Sequence, residues 1–300
     1  MGELISILGT RDQTGATSLA INLSFLLHKL GNKKVLLLDF DFSYPGDTAF
    51  YLKTKEPAMA TDLISLVGKK VSASMLDGFI PCHPKGVYTM QAFDSLMSPE
   101  KLRPDSLNQV LGLLTRHFDA VVLDAGATWS PFHLTPFLGS SLIYLTTLPD
   151  TSLILESQKK VTRLMRAYVP RDKIILCVNR GSEHNLDKRG LESRLSDMRY
   201  FLLPDAGSAM GEAQGLGLPL VLHQVRNAYT SALEAHVQEE MGRKHSSFEL
   251  EKIIQGDAKP LLPFWIESAG GGMPTAAETS GGTSPTGAVS AQDELKSKIL

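Results

Sequence analysis

Residues 9–18 of the chain read Gly9-Thr10-Arg11-Asp12-Gln13-Thr14-Gly15-Ala16-Thr17-Ser18. An apolar run at residues 4–8 precedes this loop, and a stretch of helical period at residues 17–30 follows it. Strand, loop and helix in this order form a setting in which backbone N–H groups and a helix N-terminus bind phosphate. A working phosphate loop has a lysine after its last glycine, whereas here Ala16 follows Gly15 and Thr17 keeps the hydroxyl.

Four more short apolar runs follow, at residues 35–38, 120–123, 142–147 and 174–178. Each run is continuous rather than alternating, which is typical of strands covered on both faces in a parallel sheet. Segments of helical period separate or follow them, at residues 60–67, 104–117, 152–168, 187–195, 206–214 and 227–242, with a further candidate at 247–254. This rhythm predicts an α/β fold with a doubly wound, mostly parallel sheet and helices on both faces.

Three aspartates stand at the carboxyl ends of these predicted strands. Asp39 and Asp41 close the run at residues 35–38, and Asp124 closes the run at residues 120–123. Ligands of open α/β sheets bind at the carboxyl ends of the strands, so the three side chains are expected to share one crevice. The alternative is that each aspartate only caps a turn.

Composition excludes several classes of protein. The chain has 300 residues, of which 43% are hydrophobic, and a net charge of -2, so a large core is possible and no nucleic-acid partner is expected. Its two cysteines, Cys82 and Cys177, have no partners at metal-ligand spacing, and Cys177 sits in an apolar run that predicts a buried thiol. No stretch reaches the roughly 18 apolar residues of a spanning helix, so we expect a cytoplasmic protein without membrane insertion.

The C-terminal part changes composition abruptly. Residues 268–291 contain Gly, Ser, Thr, Ala and Pro with almost no large apolar residue. Such a segment cannot bury enough surface to offset its ordering entropy. We therefore predict a domain at residues 1–266, a flexible linker at 267–291, and the start of a further helix or a tail at 292–300.

Residues 2–222 resemble the MinD/ParA superfamily of P-loop ATPases, which carry a deviant Walker A motif, and most closely its pilus-assembly branch, the CpaE/TadZ proteins. The phosphate loop takes part in this resemblance, and so do five further stretches at residues 39–47, 116–124, 178–180, 203–205 and 217–220. The resemblance implies a P-loop NTPase fold with ATP or ADP and Mg²⁺ as ligands. It also implies a homodimer that forms face to face across the nucleotide.

The resemblance also implies roles for single residues. Asp39 and Asp124 hold the metal through water, Asp41 sits where the family orients the attacking water, and Arg11 takes the position of the signature lysine. The residues implied to contact the nucleotide are Gly9, Gly15, Ala16, Thr17, Ser18, Asn179 and Asp205, of which Thr17 also reaches Mg²⁺.

Departures from the family pattern decide the expected activity. Ala16 removes a cation that offsets phosphate charge, and loss of one such group commonly lowers a rate by ~10²-fold or more. Asp12 places a carboxylate beside the expected triphosphate, and Asp12 and Gln13 replace two glycines of the loop. The sequence therefore predicts no efficient ATPase.

Three functional hypotheses remain. The first is a dimerising scaffold that localises a Tad-type pilus or secretion machine, concentrated at a cell pole, with a weakly hydrolysing or inactive site. The second is a slow ATPase switch that uses Arg11 and the retained aspartates. The third is a regulatory partner of a flagellar or secretion ATPase. Trp129 and Phe132 follow the switch II aspartate and are read either as anchors for a partner or as core.

Overall fold

A computed structural model describes residues 2–92, 103–182, 198–224 and 226–243. All of these residues lie in one compact unit of the chain. The predicted helices at 187–195 and 247–254, the linker and the final segment lie outside the described residues. The domain boundaries therefore stay predictions.

The described residues form an eight-stranded sheet in which every pair of neighbouring strands is parallel. In chain order the strands are β1 Glu3–Gly9, β2 Val35–Asp39, β3 Ala58–Met59, β4 Tyr88–Gln91, β5 Ala120–Asp124, β6 Leu142–Thr147, β7 Ile174–Asn179 and β8 Arg199–Leu203. Their spatial order is β3-β4-β2-β5-β1-β6-β7-β8. Strands β2 to β5 therefore lie on one side of β1, and strands β6 to β8 lie on the other side. This is the doubly wound arrangement that the sequence predicts.

Nine α-helices lie among the described residues, together with three 3₁₀ segments at Ala60–Leu66, Pro131–His133 and Arg171–Lys173. In chain order the α-helices are α1 Ala16–Gly31, α2 Asp47–Tyr51, α3 Ala73–Phe79, α4 Pro104–His117, α5 Leu134–Gly139, α6 Thr151–Arg166, α7 Ser208–Leu216, α8 Leu220–His223 and α9 Ala228–Met241.

Helices cover both faces of the sheet because each central strand is apolar on both sides. Ile5 and Ile7 of β1 belong to one core cluster with α1, α7, α8 and α9. Leu4 and Leu8 alternate with them and are equally buried, on the side where α4, α5 and α6 contact β5, β1 and β6. The continuous apolar runs in the sequence are the trace of this two-sided burial.

Two parts of the sheet were not predicted. β3 has only two residues, and β4 carries the polar Thr89 and Gln91 in alternation, so neither shows a continuous apolar run. The helix predicted at residues 60–67 is a 3₁₀ segment, Ala60–Leu66, rather than an α-helix. β8 was indicated only through the family resemblance, because Arg199 and Tyr200 interrupt its apolar pattern.

Cys177 is fully buried in β7, as predicted, and its thiol is a small apolar group of the core. Within the described ranges, no helix has the length and apolar character needed to cross a membrane.

Candidate nucleotide-binding site

A cleft of about 690 Å³ opens beside the phosphate loop. Its lining carries four carboxylates, from Asp12, Asp41, Asp47 and Asp205, and two guanidinium groups. Other lining residues come from the phosphate loop, the loops after β2, β5, β7 and β8, and helices α2, α7 and α9. The cleft therefore lies at the carboxyl edge of the sheet, where the sequence places it, and its rim is more acidic than basic.

The phosphate loop wraps the N-terminus of α1. Gly15 precedes the first helical residue with φ 94°, and a Cβ there would come within 2.3 Å of the Asn179 side-chain nitrogen, so only glycine fits. Gln13 adopts φ 63°, a left-handed conformation that costs a non-glycine residue ~1–2 kcal/mol. The loop thus keeps a glycine-like course at Gln13 although the glycine itself is absent.

Ala16 is the first residue of α1 and is buried. The first turn of the helix contains no acidic residue, so its free N–H groups and its dipole face the cleft without a competing carboxylate on the helix itself. Thr17 and Ser18 line the same cleft. These groups can bind phosphate oxygens, but they supply no full positive charge where the family lysine would lie.

Asn179, at the end of β7, fixes the far side of the loop. Its Nδ2 donates to the Thr14 carbonyl at 3.0 Å, and its Oδ1 accepts from the Arg180 backbone N–H at 3.0 Å. Asp205 follows β8, is exposed in the same cleft, and accepts from the Gly207 backbone N–H at 3.0 Å. Both residues implied to flank the adenine therefore lie in the cleft.

Helix α6 holds the first half of the phosphate loop. The Arg11 guanidinium pairs with the Glu156 carboxylate at 2.5 Å, and the Thr10 and Ser157 hydroxyls are 2.8 Å apart. Arg11 remains 61% exposed, so the ion pair is screened by solvent and contributes little to stability. The cation that the resemblance assigns to the signature-lysine position is therefore paired within its own chain.

Asp39 organises the loop that follows β2. Its carboxylate accepts from the backbone N–H groups of Asp41, Gly46 and Thr48 at 3.2, 3.0 and 3.3 Å, and from the Thr48 hydroxyl at 3.1 Å. Burial raises the pKa of Asp39 to about 6 in spite of these hydrogen bonds. The turn-capping alternative thus describes a large part of what Asp39 does.

Asp124 lies beside Asp39 as its register partner across β2 and β5. Burial, and next the charge of Asp39, raise the pKa of Asp124 to about 8, while the Thr17 side chain lowers it. Asp124 Oδ1 accepts from the Gly126 N–H at 3.3 Å, whereas the buried Oδ2 has no hydrogen-bond partner among the described residues. An unpaired buried oxygen is unusual, and a bound ion or an ordered water would give it a partner.

These oxygens fit Mg²⁺, which prefers a few carboxylate or hydroxyl ligands completed by phosphate and water. Thr17 lines the cleft, Asp124 is its neighbour, and Asp39 is the register partner of Asp124, so the three supply that kind of donor at and just behind the cleft lining. The described part of the chain holds no cluster of three or more His, Cys, Asp or Glu side chains able to bind a metal alone.

Asp41 caps the turn that leads away from Asp39. Its Oδ1 accepts from the backbone N–H groups of Ser43 and Tyr44 at 2.7 and 3.2 Å. The carboxyl group also packs directly against Gly126, where a Cβ would come within 2.2 Å of it. Asp41 still lines the cleft, so it combines turn capping with a position that faces a ligand.

Gly126 is the junction of three loops. It adopts φ 60°, its carbonyl accepts from the Gly9 N–H at 2.7 Å, and its Cα faces Asp41. The next residue, Ala127, accepts from the Lys160 ammonium at 2.5 Å, and the same ammonium donates to the Gly9 carbonyl at 2.7 Å. The phosphate loop and the loop after β5 are thereby connected at two points.

An aromatic cluster supports the loop after β5. Phe132 stacks on Phe42 with ring centroids 4.7 Å apart, and Trp129 meets Phe137 edge-on at 5.9 Å. His133 is fully buried, its Nε2 donates to the Phe40 carbonyl at 3.1 Å, and burial lowers its pKa to about 4. Trp129 and Phe132 both pack on aromatic neighbours, but each is only half-buried, so both interpretations of these residues stay open.

Most of the predicted site residues line the cleft itself: Arg11, Gly15, Ala16, Thr17, Ser18, Asp41, Asn179 and Asp205. Gly9, Asp39 and Asp124 lie behind that lining at the ends of their strands. Glu156 and Lys160 on α6 have no motif of their own, so the sequence did not predict their place beside the phosphate loop. Nor did it predict the cleft-lining side chains of Tyr51, Met210 and Tyr229.

The parallel sheet, the phosphate loop before α1 and the aspartates at adjacent strand ends define an α/β P-loop NTPase fold of the MinD/ParA type. Structural comparison agrees. A ParA family ATPase from Chlorobium tepidum superposes with a TM-score of 0.71 at 14% identity, over 79% of this chain and 99% of that one. MinD from Pyrococcus horikoshii, solved with Mg-ADP, gives a TM-score of 0.64 at 22% identity over 80% and 96%.

Sequence comparison supports a place in the MinD/ParA superfamily. The chain is 23% identical to the septum site-determining protein MinD of Thermotoga maritima over 233 residues, 74% of this chain and 82% of that protein. It is 24% identical to an uncharacterized ATP-binding protein of Methanocaldococcus jannaschii over 267 residues, 85% and 97% of the two chains. No protein-family profile matches the chain.

Proposed function

We propose that this protein is a localisation or assembly factor of the CpaE/TadZ kind for a Tad-type pilus or secretion machine. It acts as a dimerising scaffold whose nucleotide site binds ATP or ADP with Mg²⁺ weakly and does not hydrolyse efficiently. One observation carries the proposal: a formed nucleotide cleft has Ala16, buried at the start of α1, where the family lysine belongs. The pilus branch rests on the motif resemblance at residues 39–47 and 116–124.

The charges of the cleft support weak catalysis. Phosphoryl transfer depends on positioning and on cations placed against the developing charge. Four carboxylates and two guanidinium groups line this cleft, and one of those guanidiniums, that of Arg11, is paired with Glu156. With this balance, a bound triphosphate is held by backbone N–H groups and Mg²⁺ rather than by lysine.

The retained residues define how a nucleotide would be held. The N–H groups at Gly15 and Ala16 face the phosphates, Thr17 and Asp124 supply oxygen ligands for Mg²⁺, and Asn179 lies beside the base. Mg²⁺, when bound, would neutralise phosphate charge that the loop does not. The orphaned Oδ2 of Asp124 supports this assignment, because an ion at that point would give it a partner.

Dimerisation follows from the proposed family role. A relative with a TM-score of 0.65 and 17% identity was solved as the MinC:MinD cell division protein complex of Aquifex aeolicus, so this fold is known to assemble with partners. Arg11 lies at the mouth of the cleft with 61% of its side chain exposed. It is therefore available to a second copy once its bond to Glu156 breaks.

A slow ATPase switch is the second candidate, and the retained acidic residues favour it. Asp41 faces the cleft at the water-orienting position, and Asp39 and Asp124 lie side by side beneath it. Arginine binds phosphate well and can replace a lysine that is supplied across a dimer.

Titration calorimetry with ATP and Mg²⁺, phosphate release and a mass measurement of oligomeric state separate the two candidates. The scaffold predicts binding and a dimer without multiple turnovers. The switch predicts multiple turnovers that Asp41→Ala abolishes, while the matched exposed control Asp62→Ala retains them. Brisk Mg²⁺-dependent turnover by the unmodified protein would refute the scaffold, and the absence of both binding and dimerisation would refute both candidates.

The cellular part of the proposal needs its own test. A fluorescent fusion is expected to concentrate at a cell pole, and the purified protein is expected to bind the ATPase or another component of the pilus machine. Arg11→Glu, which reverses the charge at the mouth of the cleft, should weaken dimerisation. A diffuse fusion with no binding to purified pilus components would exclude the Tad-type role while leaving the nucleotide site in place.

A further inference from the structure

Helix α6 presents three consecutive contacts to the loops of the cleft. Glu156, Ser157 and Lys160 lie within little more than one turn, and they bond Arg11, Thr10 and the Gly9 carbonyl respectively. Residues four positions apart share one face of a helix, so Glu156 and Lys160 meet the loop from the same side. The N-terminal half of α6 is therefore a support for the first half of the phosphate loop.

Lys160 differs from the other two because it contacts two loops at once. Its ammonium donates to the Gly9 carbonyl at 2.7 Å and to the Ala127 carbonyl at 2.5 Å. Ala127 belongs to residues 125–130, here called the switch loop, which follows Asp124. A single cation is thus shared by the phosphate loop and the switch loop.

We propose that Lys160 is the positioning residue that couples the phosphate loop to the switch loop, so that a displacement of either loop is transmitted to the other. Lys160 does not line the cleft, whereas Ala127 and Arg11 do, so its ammonium acts through the two carbonyls and not as a phosphate ligand. Charge-assisted hydrogen bonds are about twice as strong as neutral ones, which suits a group that must hold two segments together. The coupling requires no nucleotide, so it stands or fails independently of the proposed function.

The electrostatic surroundings of Lys160 make the coupling sensitive to pH. Burial is the largest influence on Lys160 and, together with Arg163 on the same helix, lowers its pKa to about 8 against the opposing charges of Glu156 and Asp12. Above that pH the ammonium becomes a neutral amine, and both hydrogen bonds lose their charge assistance. The connection between the loops should therefore weaken between about pH 7 and pH 9.

Trp129 provides a reporter two residues from Ala127. Its ring is half-buried against Phe137, and its Nε1 has no hydrogen-bond partner among the residues that the structure describes. The chain has two tryptophans, so Trp265→Phe leaves Trp129 as the single emitter. A movement of the switch loop changes the solvent exposure of this indole.

The first experiment titrates Trp129 emission without nucleotide in a protein that carries Trp265→Phe and Asp124→Asn, because the pKa of Asp124, just before the switch loop, is also raised to about 8 and would give a step of its own. A step with a midpoint near the pKa of Lys160, about 8, is expected. Lys160→Arg should remove the step up to pH 10, because guanidinium stays charged. Lys159→Met, which changes the exposed neighbouring lysine, should leave the step unchanged. A step that persists in Lys160→Arg, or no step in the parent protein, would overturn the proposal.

The second experiment measures amide hydrogen exchange at pH 7. Lys160→Met is expected to speed exchange in peptides from both the phosphate loop and the switch loop by about tenfold, the effect of losing one charged hydrogen bond. Lys160→Arg should restore protection, and Lys159→Met should not change it. Faster exchange in only one loop, or in neither, contradicts the coupling. If Lys160→Met fails to fold, the pH titration of Lys160→Arg decides by itself.

Discussion

Replacing Asp124 by asparagine should stabilise the protein without ligands and remove the Mg²⁺-dependent nucleotide binding proposed above. The pKa of this buried carboxyl is raised from its ordinary 3.8 to about 8 by burial and by the charge of Asp39. The folded state therefore keeps a proton that the unfolded chain releases above pH 3.8. The sign follows directly: the stability of the wild type falls as pH rises from 3.8 towards 8, and an amide at the same position has no such loss.

The size of the effect can be worked out from the same values. Each pH unit between 3.8 and the experimental pH costs the wild type up to ~1.4 kcal/mol, which gives an upper limit of ~5 kcal/mol at pH 7.5 and ~2 kcal/mol at pH 5. Burial also raises the pKa of the neighbouring Asp39, to about 6, so that part of the repulsion is relieved when Asp39 takes up a proton, and local relaxation will reduce both figures. We expect Asp124→Asn to gain about 2 kcal/mol at pH 7.5 and less than about 1 kcal/mol at pH 5.

Urea denaturation at several pH values measures this gain, with Asp62→Asn as an exposed control that should change little at any pH. A parallel calorimetric titration should show that Asp124→Asn no longer binds ADP in a Mg²⁺-dependent manner. A variant that is less stable than the wild type at pH 7.5 would refute the reasoning. So would a gain that does not change with pH, because the argument depends on a proton held only in the folded state.

Three further predictions concern single positions. Ala16→Lys alone should give no multiple turnovers in a phosphate-release assay. Asp12 still places a carboxylate in the loop, and Gln13 still holds a left-handed conformation there without being glycine. Gly126→Ala should lower the free energy of unfolding measured in urea by about 2 kcal/mol or more, because its Cβ meets the Asp41 carboxyl. Gly68→Ala is the control, because Gly68 also has a positive φ but has open space around it, so this variant measures the backbone strain alone. The pKa of His133 is lowered to about 4, so the free energy of unfolding should fall as pH decreases from 6.5 towards 4, where the unfolded chain binds a proton that the folded state does not. In acid denaturation, His133→Gln should make the stability less dependent on pH over this range.

The sequence was informative where one physical rule fixed the answer. Burial on both faces requires continuous apolar runs, and all five runs are strands at nearly the predicted bounds. Asp39 and Asp124 were expected to meet because parallel strands end at one edge, and they are register partners. β3 and β4 were missed because a two-residue strand and a strand with polar alternation carry no such run.

Lys160 shows what the sequence could not predict. Lys159 and Lys160 are adjacent on an amphipathic helix, and both have the pattern of a solvated face. Only the docking of α6 against β6 turns one of them toward the loops and leaves the other exposed. Glu156 was missed for the same reason, since its partner Arg11 is more than a hundred residues away in the chain. Local patterns predict elements, whereas such contacts depend on how two elements pack.

The cleft holds its shape with groups other than the missing lysines. Gly15 permits the close approach of Asn179, Gly126 permits that of Asp41, and Lys160 joins the two loops through main-chain carbonyls. None of these contacts depends on a cation at position 16, so the form of a nucleotide site can persist when its catalytic charge is lost. A chain that pairs or recruits partners through such a cleft needs the form alone, whereas hydrolysis needs both. Because the contacts that shape the cleft are present while position 16 is an alanine, we prefer a scaffold over an efficient ATPase.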